Sequence, residues 1–515
     1  MSQVIASDAD RAQLAELGIA PEEVERQIAL FVHPPAPARL ERPCSLGDGV
    51  RSLSPAEQGL ARRAHAAAAA AGRVSKFTPA SGAASRMFQS LLGARGAGLR
   101  TRSALQTMAD AGDDVAADVL TFVDNLPRFA FADALAAAAA RGGQPIDRLL
   151  VAGDVGALLD ALLTPAGLDY AAAPKGLLLF HRYAEGARTA FEEHLVETAA
   201  VARAASGVAR LHLTVSPEHA AGFGGLLERV RGAYERRYDV HYEVGFSTQH
   251  RATDTVAVDA DNRPFRTEDR RLLFRPGGHG ALIGNLGELG GDLVFIKNID
   301  NVQPDDQRGP ALEWMQLLLG HAAALQAAIA DHLRALRGGM PEAIGAAGRF
   351  AAEALGVSLP AGANPAAVRA ALDRPLRVCG VVRNTGEPGG GPFWVRGADG
   401  GVSAQIVESA QVDTTDAGQR AVFAAATHFN PVFLACAVRD AGGHPFDLQR
   451  YLDPSAVFIA RKSKDGRELK ALERPGLWNG AMAHWLTVFV EVPEATFTPV
   501  KTVNDLLRPA HQPRA

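Results

Sequence analysis

Apolar residues recur at helical spacing from the N-terminus to about residue 75, interrupted at His33-Pro34-Pro35-Ala36-Pro37, with a second helix predicted from Ser54 through an alanine run to Gly72. This region reads as a helical packing element or lid. The pattern then changes. Val74-Ser75-Lys76-Phe77-Thr78-Pro79-Ala80 reads as a strand, the loop after it holds only small residues until Arg86, and a helix is predicted to start at Met87. Strand, loop and helix in that order present backbone amides and a helix N-terminus to an anion.

Residues 93–170 are alanine-rich with helical spacing and stop signals at Asn125-Leu126-Pro127 and Arg141-Gly142-Gly143, which predicts a helical insertion serving as a lid, a dimer contact or a packing shell. Strand-like runs at 176–180, 210–215, 240–244 and 292–299 then alternate with helical stretches. Such alternation predicts an α/β fold with an open, mostly parallel sheet covered by helices. Helices are predicted over 310–356, a loop over 360–365, and a glycine- and strand-rich stretch from 376 onward that completes the site. The pattern thus divides the chain into 1–75, 76–310, 311–375 and 376–515.

At 515 residues, 47% hydrophobic and 21% charged, the chain has the make-up of a soluble globular protein of two to four domains at about 150 residues each. A formal net charge of -4 gives no global positive field for a polynucleotide, which argues against nucleic-acid binding and leaves local basic residues to meet small anions. Cys44, Cys379 and Cys436 show no CxxC spacing, which excludes a disulfide framework and a thiolate zinc site. The N-terminal stretch mixes Asp8, Asp10, Arg11, Glu16 and Glu22 with apolar residues, and the alanine tract at 134–140 is too short to span a bilayer, so a cytoplasmic protein without a membrane segment is expected.

Five short motifs carry candidate chemistry. In Ser81-Gly82-Ala83-Ala84-Ser85-Arg86 nothing bulky precedes the guanidinium, so amides and Arg86 could bind phosphate oxygens together; an ordinary strand-to-helix turn with Arg86 solvated has the same wording. Pro174-Lys175-Gly176 puts an ammonium on a constrained turn, and the stretch after it carries Arg188, Glu192, Glu193 and His194, either near a substrate or on a solvated face. Gly277-Gly278-His279-Gly280 suits a flat polar ligand approaching close to the backbone, or a glycine-rich turn with a structural histidine. Asp300, after an apolar strand, and Asn301 beside it could hold a hard cation such as Mg²⁺ or simply cap a turn. Lys501, in Phe497-Thr498-Pro499-Val500-Lys501, could return to neutralise a triphosphate.

Taken in order, the set resembles the UDP-sugar pyrophosphorylase branch of the sugar nucleotidyltransferases, which share a GT-A-like, Rossmann-type core. The family's glycine-rich loop ending Thr-Arg is similar to 81–86, its Pro-Lys-Gly to 174–176, its Pro-Gly-Gly-Asn/His-Gly uridine loop to 276–280, and its metal-binding Asp-Asn to Asp300-Asn301. Val407-Glu408-Ser409-Ala410-Gln411 resembles its Val-Glu-Tyr-Ser stretch, Phe246 with Gln249 its Phe-x-x-Gln nucleobase contact, and 497–507 its Phe-x-Pro-Val-Lys ending. The full wording of the first loop, of 274–283 and of 296–302 is similar to an uncharacterised bacterial family of unknown function.

The resemblance implies formation of an NDP-sugar and pyrophosphate from an NTP, expected to be UTP, and a sugar 1-phosphate, with Mg²⁺ as cofactor. It implies that Arg86 and Lys501 meet the β- and γ-phosphates and that Lys175 orients the sugar phosphate or α-phosphate. Asp300 would hold Mg²⁺, and Ser81, Gly82, Gln249, Gly277, Gly278, His279 and Gly280 would seat the nucleotide. Ser81 and Ala84 stand where the family has glycines, each Cβ narrowing the approach to phosphate, and the separation between Arg86 and Lys175 is longer than the family's. These departures leave open a nucleotide-sugar sensor that binds without turnover, and the shared core leaves open a GT-A-type glycosyltransferase.

Overall fold

Strand Leu293–Lys297 reads Leu-Val-Phe-Ile-Lys, and all five residues are buried, the signature of a strand covered on both faces rather than one. It runs parallel to Val74–Pro79, with Leu293 opposite Val74 and Ile296 opposite Phe77. In the computed structural model, which describes residues 7–338, 342–360, 362–386, 389–397 and 399–513, the chain forms two compact units. The first comprises 1–77, 247–296 and 315–492; the second comprises 78–246, 297–314 and 493–515.

The sheet of the first unit has strands in the order Ser45–Leu46, Gly49–Arg51, Leu486–Glu491, Leu376–Arg383, His428–Ala437, Leu293–Lys297, Val74–Pro79. Gly49–Arg51 pairs in parallel with Ser45–Leu46 and with Leu486–Glu491, Leu486–Glu491 in parallel with Leu376–Arg383, and Leu293–Lys297 in parallel with Val74–Pro79, whereas Leu376–Arg383 and His428–Ala437 are antiparallel with a bulge between Gly380 and Val382. The fold is therefore α/β with a large, mostly parallel sheet and a strand-rich C-terminal region. Helices Pro55–Ala70 and Gly309–Arg337 are among those that accompany it. The region expected to be wholly helical up to residue 75 also contains strands, of which Arg39–Pro43 pairs antiparallel with Gly391–Arg396. The expected segment 376–515 divides, because 376–492 belongs to the first unit and the tail from 493 to the second.

The second unit is organised around helix Ala190–Val201, started by a capping box between Thr189 and Glu192. Nearly every residue on it is buried, including Glu192, Glu193, His194 and Glu197, so the solvated face allowed by the sequence pattern does not exist. Strands Val208–Thr214 and His241–Ser247 lie side by side. Insertion helices Arg102–Asp110, Asp114–Asp124, Ala132–Arg141, Ile146–Ala152 and Val155–Leu163 bury Phe122, Leu135, Leu158 and Leu162 in one core with Leu211, Leu213 and Phe191. Of the three roles open to the insertion, the packing shell is the one this core shows. No helix among the described residues is long and apolar enough to cross a membrane.

Two stability predictions come from buried ionisable groups. Lys297 donates to Glu197 at 2.6 Å with both side chains fully buried, so removing one charge deprives the other of a close counter-charge in a dry interior. Glu197→Gln should destabilise the protein by about 3–5 kcal/mol in urea denaturation, and adding Lys297→Met should restore part of that loss. Burial, helped by Arg51, also lowers the pKa of His321 from 6.5 to about 4, and burial does the same to His279. Between those values the unfolded chain binds protons the folded one refuses, so stability should fall as pH drops from about 6.5 to about 4. His321→Leu should flatten that slope when the urea midpoint is followed against pH.

Candidate functional site

Lys175 opens the short 3-10 turn Lys175–Leu177, and its Nζ donates to Asp300 Oδ2 at 2.8 Å and to the Val500 carbonyl at 2.7 Å. Lys501 Nζ reaches the same Asp300 oxygen at 3.5 Å. Three motifs far apart in the chain thus meet at one carboxylate in the second unit. Burial alone would raise the pKa of Asp300, but Lys175 and Lys501 hold it below the ordinary carboxylate value. Lys175 and Asp300 are largely covered, with side chains 13% and 8% exposed, whereas Lys501 is 55% exposed. Asp300 Oδ1 carries no hydrogen bond among the described residues.

The tail holds this cluster together. Val500 N–H donates to the Asp300 carbonyl and Val503 N–H to the Met87 carbonyl. Asn301 Oδ1 accepts from Thr498 N–H at 2.9 Å while its amide donates to the Thr496 carbonyl. Asn301 therefore spends its side chain on the tail and does not stand as a second cation ligand beside Asp300. The insertion contributes here as well: Arg128 Nη2 donates to the Leu507 carbonyl and Asn504 donates to the Asp118 carbonyl.

The small-residue loop abuts the turn that carries Lys175. Lys175 N–H donates to the Gly82 carbonyl at 3.3 Å, and Ala84 N–H to the Ala173 carbonyl at 3.0 Å. The long stretch between Arg86 and Lys175 accordingly leaves the loop and returns to it. Ala84 is fully buried in the core, so its Cβ points away from the open side and does not narrow an approach to phosphate. Ser81, Gly82 and Ala83 are exposed, and their amides have no acceptor among the described residues. Arg86, on the 3-10 turn Ala84–Arg86, is exposed and has no side-chain partner among them.

The glycine-rich loop belongs to the first unit, and its glycines answer to packing. Gly278 has φ +77°, and a Cβ on Gly280 would lie 2.0 Å from the Pro475 carbonyl oxygen. A close ligand is not needed to account for them. His279 stacks on Trp478 at 4.2 Å and 16°, and Trp478 Nε1 donates to Glu408 at 3.0 Å, which gives the Val-Glu stretch a local role. Leu477 N–H donates to His279 Nδ1 at 3.0 Å. The ring nitrogen that accepts carries no proton, so Nε2 holds it, and burial lowers the pKa of His279 to about 4. Gln249 donates to Asp254 at 3.4 Å.

A buried polar network in the second unit joins Glu193 and Arg188, which the sequence brought into view, to His181, Tyr183, Asp305 and Arg308, which it did not. Glu193 accepts from His181 Nδ1 at 2.9 Å, Tyr183 Oη at 2.6 Å and Arg308 Nη2 at 2.7 Å. Burial opposes its charge, yet these partners lower its pKa to about 2. His181 Nε2 lies 3.0 Å from His511 Nδ1, so the network reaches the tail. Arg188 clamps Asp305 with two bonds of 2.8 Å. No periodicity marks His181 and Tyr183 in the sequence, since Arg182 stands between them and Ala184-Glu185-Gly186-Ala187 follows.

The chain is similar to the uridine diphosphate N-acetylglucosamine pyrophosphorylase of Trypanosoma brucei in complex with an inhibitor. The identity is 13%, covering 98% of this chain and 80% of that one, with a TM-score of 0.49. A mutant UDP-glucose pyrophosphorylase from Leishmania major in complex with UDP-glucose is 13% identical, covering 98% of this chain and 79% of that one, with a TM-score of 0.46. No curated protein matches the chain. A family model described as Domain of unknown function (DUF4301) matches residues 7–512. The chain therefore belongs to the DUF4301 family.

Proposed function

We propose that the protein is a Mg²⁺-dependent sugar-1-phosphate nucleotidyltransferase, with UTP as its nucleotide. The observation that carries this reading is the meeting of Lys175, Asp300 and Lys501 within hydrogen-bonding reach of one carboxylate, beside a loop with free amides. Two ammonium groups against one carboxylate leave an excess of one positive charge, which suits a phosphate rather than a neutral ligand. The motif order supports the same class.

An oxygen of the sugar 1-phosphate forms a bond to the α-phosphorus, the bond between that phosphorus and the α,β-bridging oxygen breaks, and pyrophosphate leaves with the electron pair. The nucleophile is already an anion, so no general base is required. What remains for the protein is positioning and charge. The amides of Ser81, Gly82 and Ala83 offer donors to phosphate oxygens, and Arg86 and Lys501 extend into solvent where the β- and γ-phosphates would lie. Lys175 orients the α-phosphate or the sugar phosphate.

Asp300 suits Mg²⁺ through its unpartnered Oδ1, since Mg²⁺ is commonly bound by one or two carboxylates together with substrate phosphates. When bound, the ion neutralises charge developing on the phosphates. Among the described residues no group of three or more His, Cys, Asp or Glu forms a cage, so Asp300 and the substrate itself are the ligands this reading assigns.

A second reading, a nucleotide-sugar binder without turnover, draws on the two short bonds that already occupy Lys175. Pyrophosphate release from UTP, Mg²⁺ and a panel of sugar 1-phosphates separates the two. Release should occur with at least one sugar phosphate, and Lys175→Ala should lower its rate by about 10²–10³-fold. Asp300→Asn should lower it comparably and raise the Mg²⁺ concentration needed for half activity. UTP or UDP-sugar binding without release from any pair would favour the binder, and a fully active Lys175→Ala variant would overturn the assigned site.

A further inference from the structure

Behind the glycine-rich loop, wholly within the first unit, lies a cavity of about 290 Å³, at the lower edge of the size that holds small molecules. Its walls are mostly apolar, built from Leu30, Ile283, Leu452, Val457, Leu472 and Ala481. Gly280 and Ala281 form part of the same wall, so the cavity and the loop share backbone.

The polar groups of the lining define what it can accept. Thr255 Oγ1 donates to the Leu472 carbonyl, and Gln27 donates to Glu23 while accepting from Val256 N–H. Glu23 accepts from Arg26 Nε and Nη2, from Gln27 and from Arg474 Nη2. Its oxygens are therefore saturated. Arg474 Nε donates to the Thr253 carbonyl at 2.7 Å, which leaves its Nη1 without a partner among the described residues. The Gln449 side-chain amide and Arg26 Nη1 are in the same position. Two guanidiniums against one saturated carboxylate give the lining a net charge of +1.

We propose that this cavity is a second ligand site, for a small monoanion with an apolar body, of the chemical class of an aliphatic monocarboxylate. The hydrocarbon fills the space between Leu30, Val457 and Leu472, and the carboxylate accepts from Arg474 Nη1 and the Gln449 amide. A guanidinium nitrogen without a partner among the described residues, in a mostly apolar chamber, selects an anion, because a charge-assisted hydrogen bond there gains more than a neutral one.

Occupancy reaches the glycine-rich loop through Arg474. Its backbone N–H donates to the Gly277 carbonyl at 2.8 Å, and its side-chain stem lies 3.2 Å from where a Cβ on Gly277 would stand. A ligand that immobilises this arginine immobilises residues 277–281, which makes the site an effector site for the loop. The binding claim stands independently of the nucleotidyltransferase reading.

The test uses octanoate, with octanol as its uncharged counterpart, on the full-length protein. Calorimetric titration should show saturable binding of one octanoate per chain, with octanol at least about tenfold weaker. Val457→Trp and Leu30→Trp, which fill the chamber from two separate segments of its lining, should each weaken octanoate by at least about tenfold, and at least one should melt as the wild type does without ligand. Amide hydrogen exchange at 277–281 should slow when octanoate is bound. Absence of saturable binding, equal binding of octanol, or retention of binding in a folded filled variant would overturn the site. Unchanged exchange at 277–281 would overturn its role as an effector.

Discussion

The candidate site depends on one ammonium group. Lys175 Nζ joins the Asp300 carboxylate to the Val500 carbonyl, and those two contacts bring together a turn, a strand end and a C-terminal tail. A buried carboxylate is costly without compensation, so Asp300 needs a cation near it in the folded protein. Among its described residues the tail contains only short 3-10 turns, Glu494–Thr496, Val503–Leu507 and Pro509–His511, with little internal structure to set its course. Its path is set by hydrogen bonds to Asp300, Asn301, Met87 and His511's partner His181. An attraction between unlike charges thereby fixes where Lys501 stands.

The parallel strands were readable because burial on both faces demands continuous apolar runs, as in Leu293–Lys297. Arg39–Pro43 was not, because it is short, carries Arg39, Glu41 and Arg42, and becomes a strand by pairing with residues more than three hundred positions away. Local preference cannot report such a partner. The division into two units was hidden for a related reason: the chain leaves and re-enters each unit, so no composition shift marks the boundaries.

In the site, Lys175, Asp300 and Lys501 were recognisable as motif residues, while their convergence depends on tail contacts that spacing does not encode. Glu192, Glu193 and His194 resembled a solvated face because a polar residue looks the same in sequence whether water or a buried partner satisfies it. The glycines of 277–280 suggested ligand access, yet the Pro475 carbonyl already excludes a side chain at Gly280. Ala84 suggested a narrowed loop, yet its methyl faces the core. In each case the deciding fact was what the fold packs against the residue.

The reaction run backwards tests the central claim most directly, because it needs no guess about the order in which substrates bind. Phosphorus NMR of the protein with Mg²⁺, pyrophosphate and UDP-sugars should show UTP signals growing while those of at least one UDP-sugar and pyrophosphate decline together. Spectra that stay unchanged for every UDP-sugar and for the other NDP-sugars would contradict nucleotidyl transfer at the Lys175, Asp300 and Lys501 cluster.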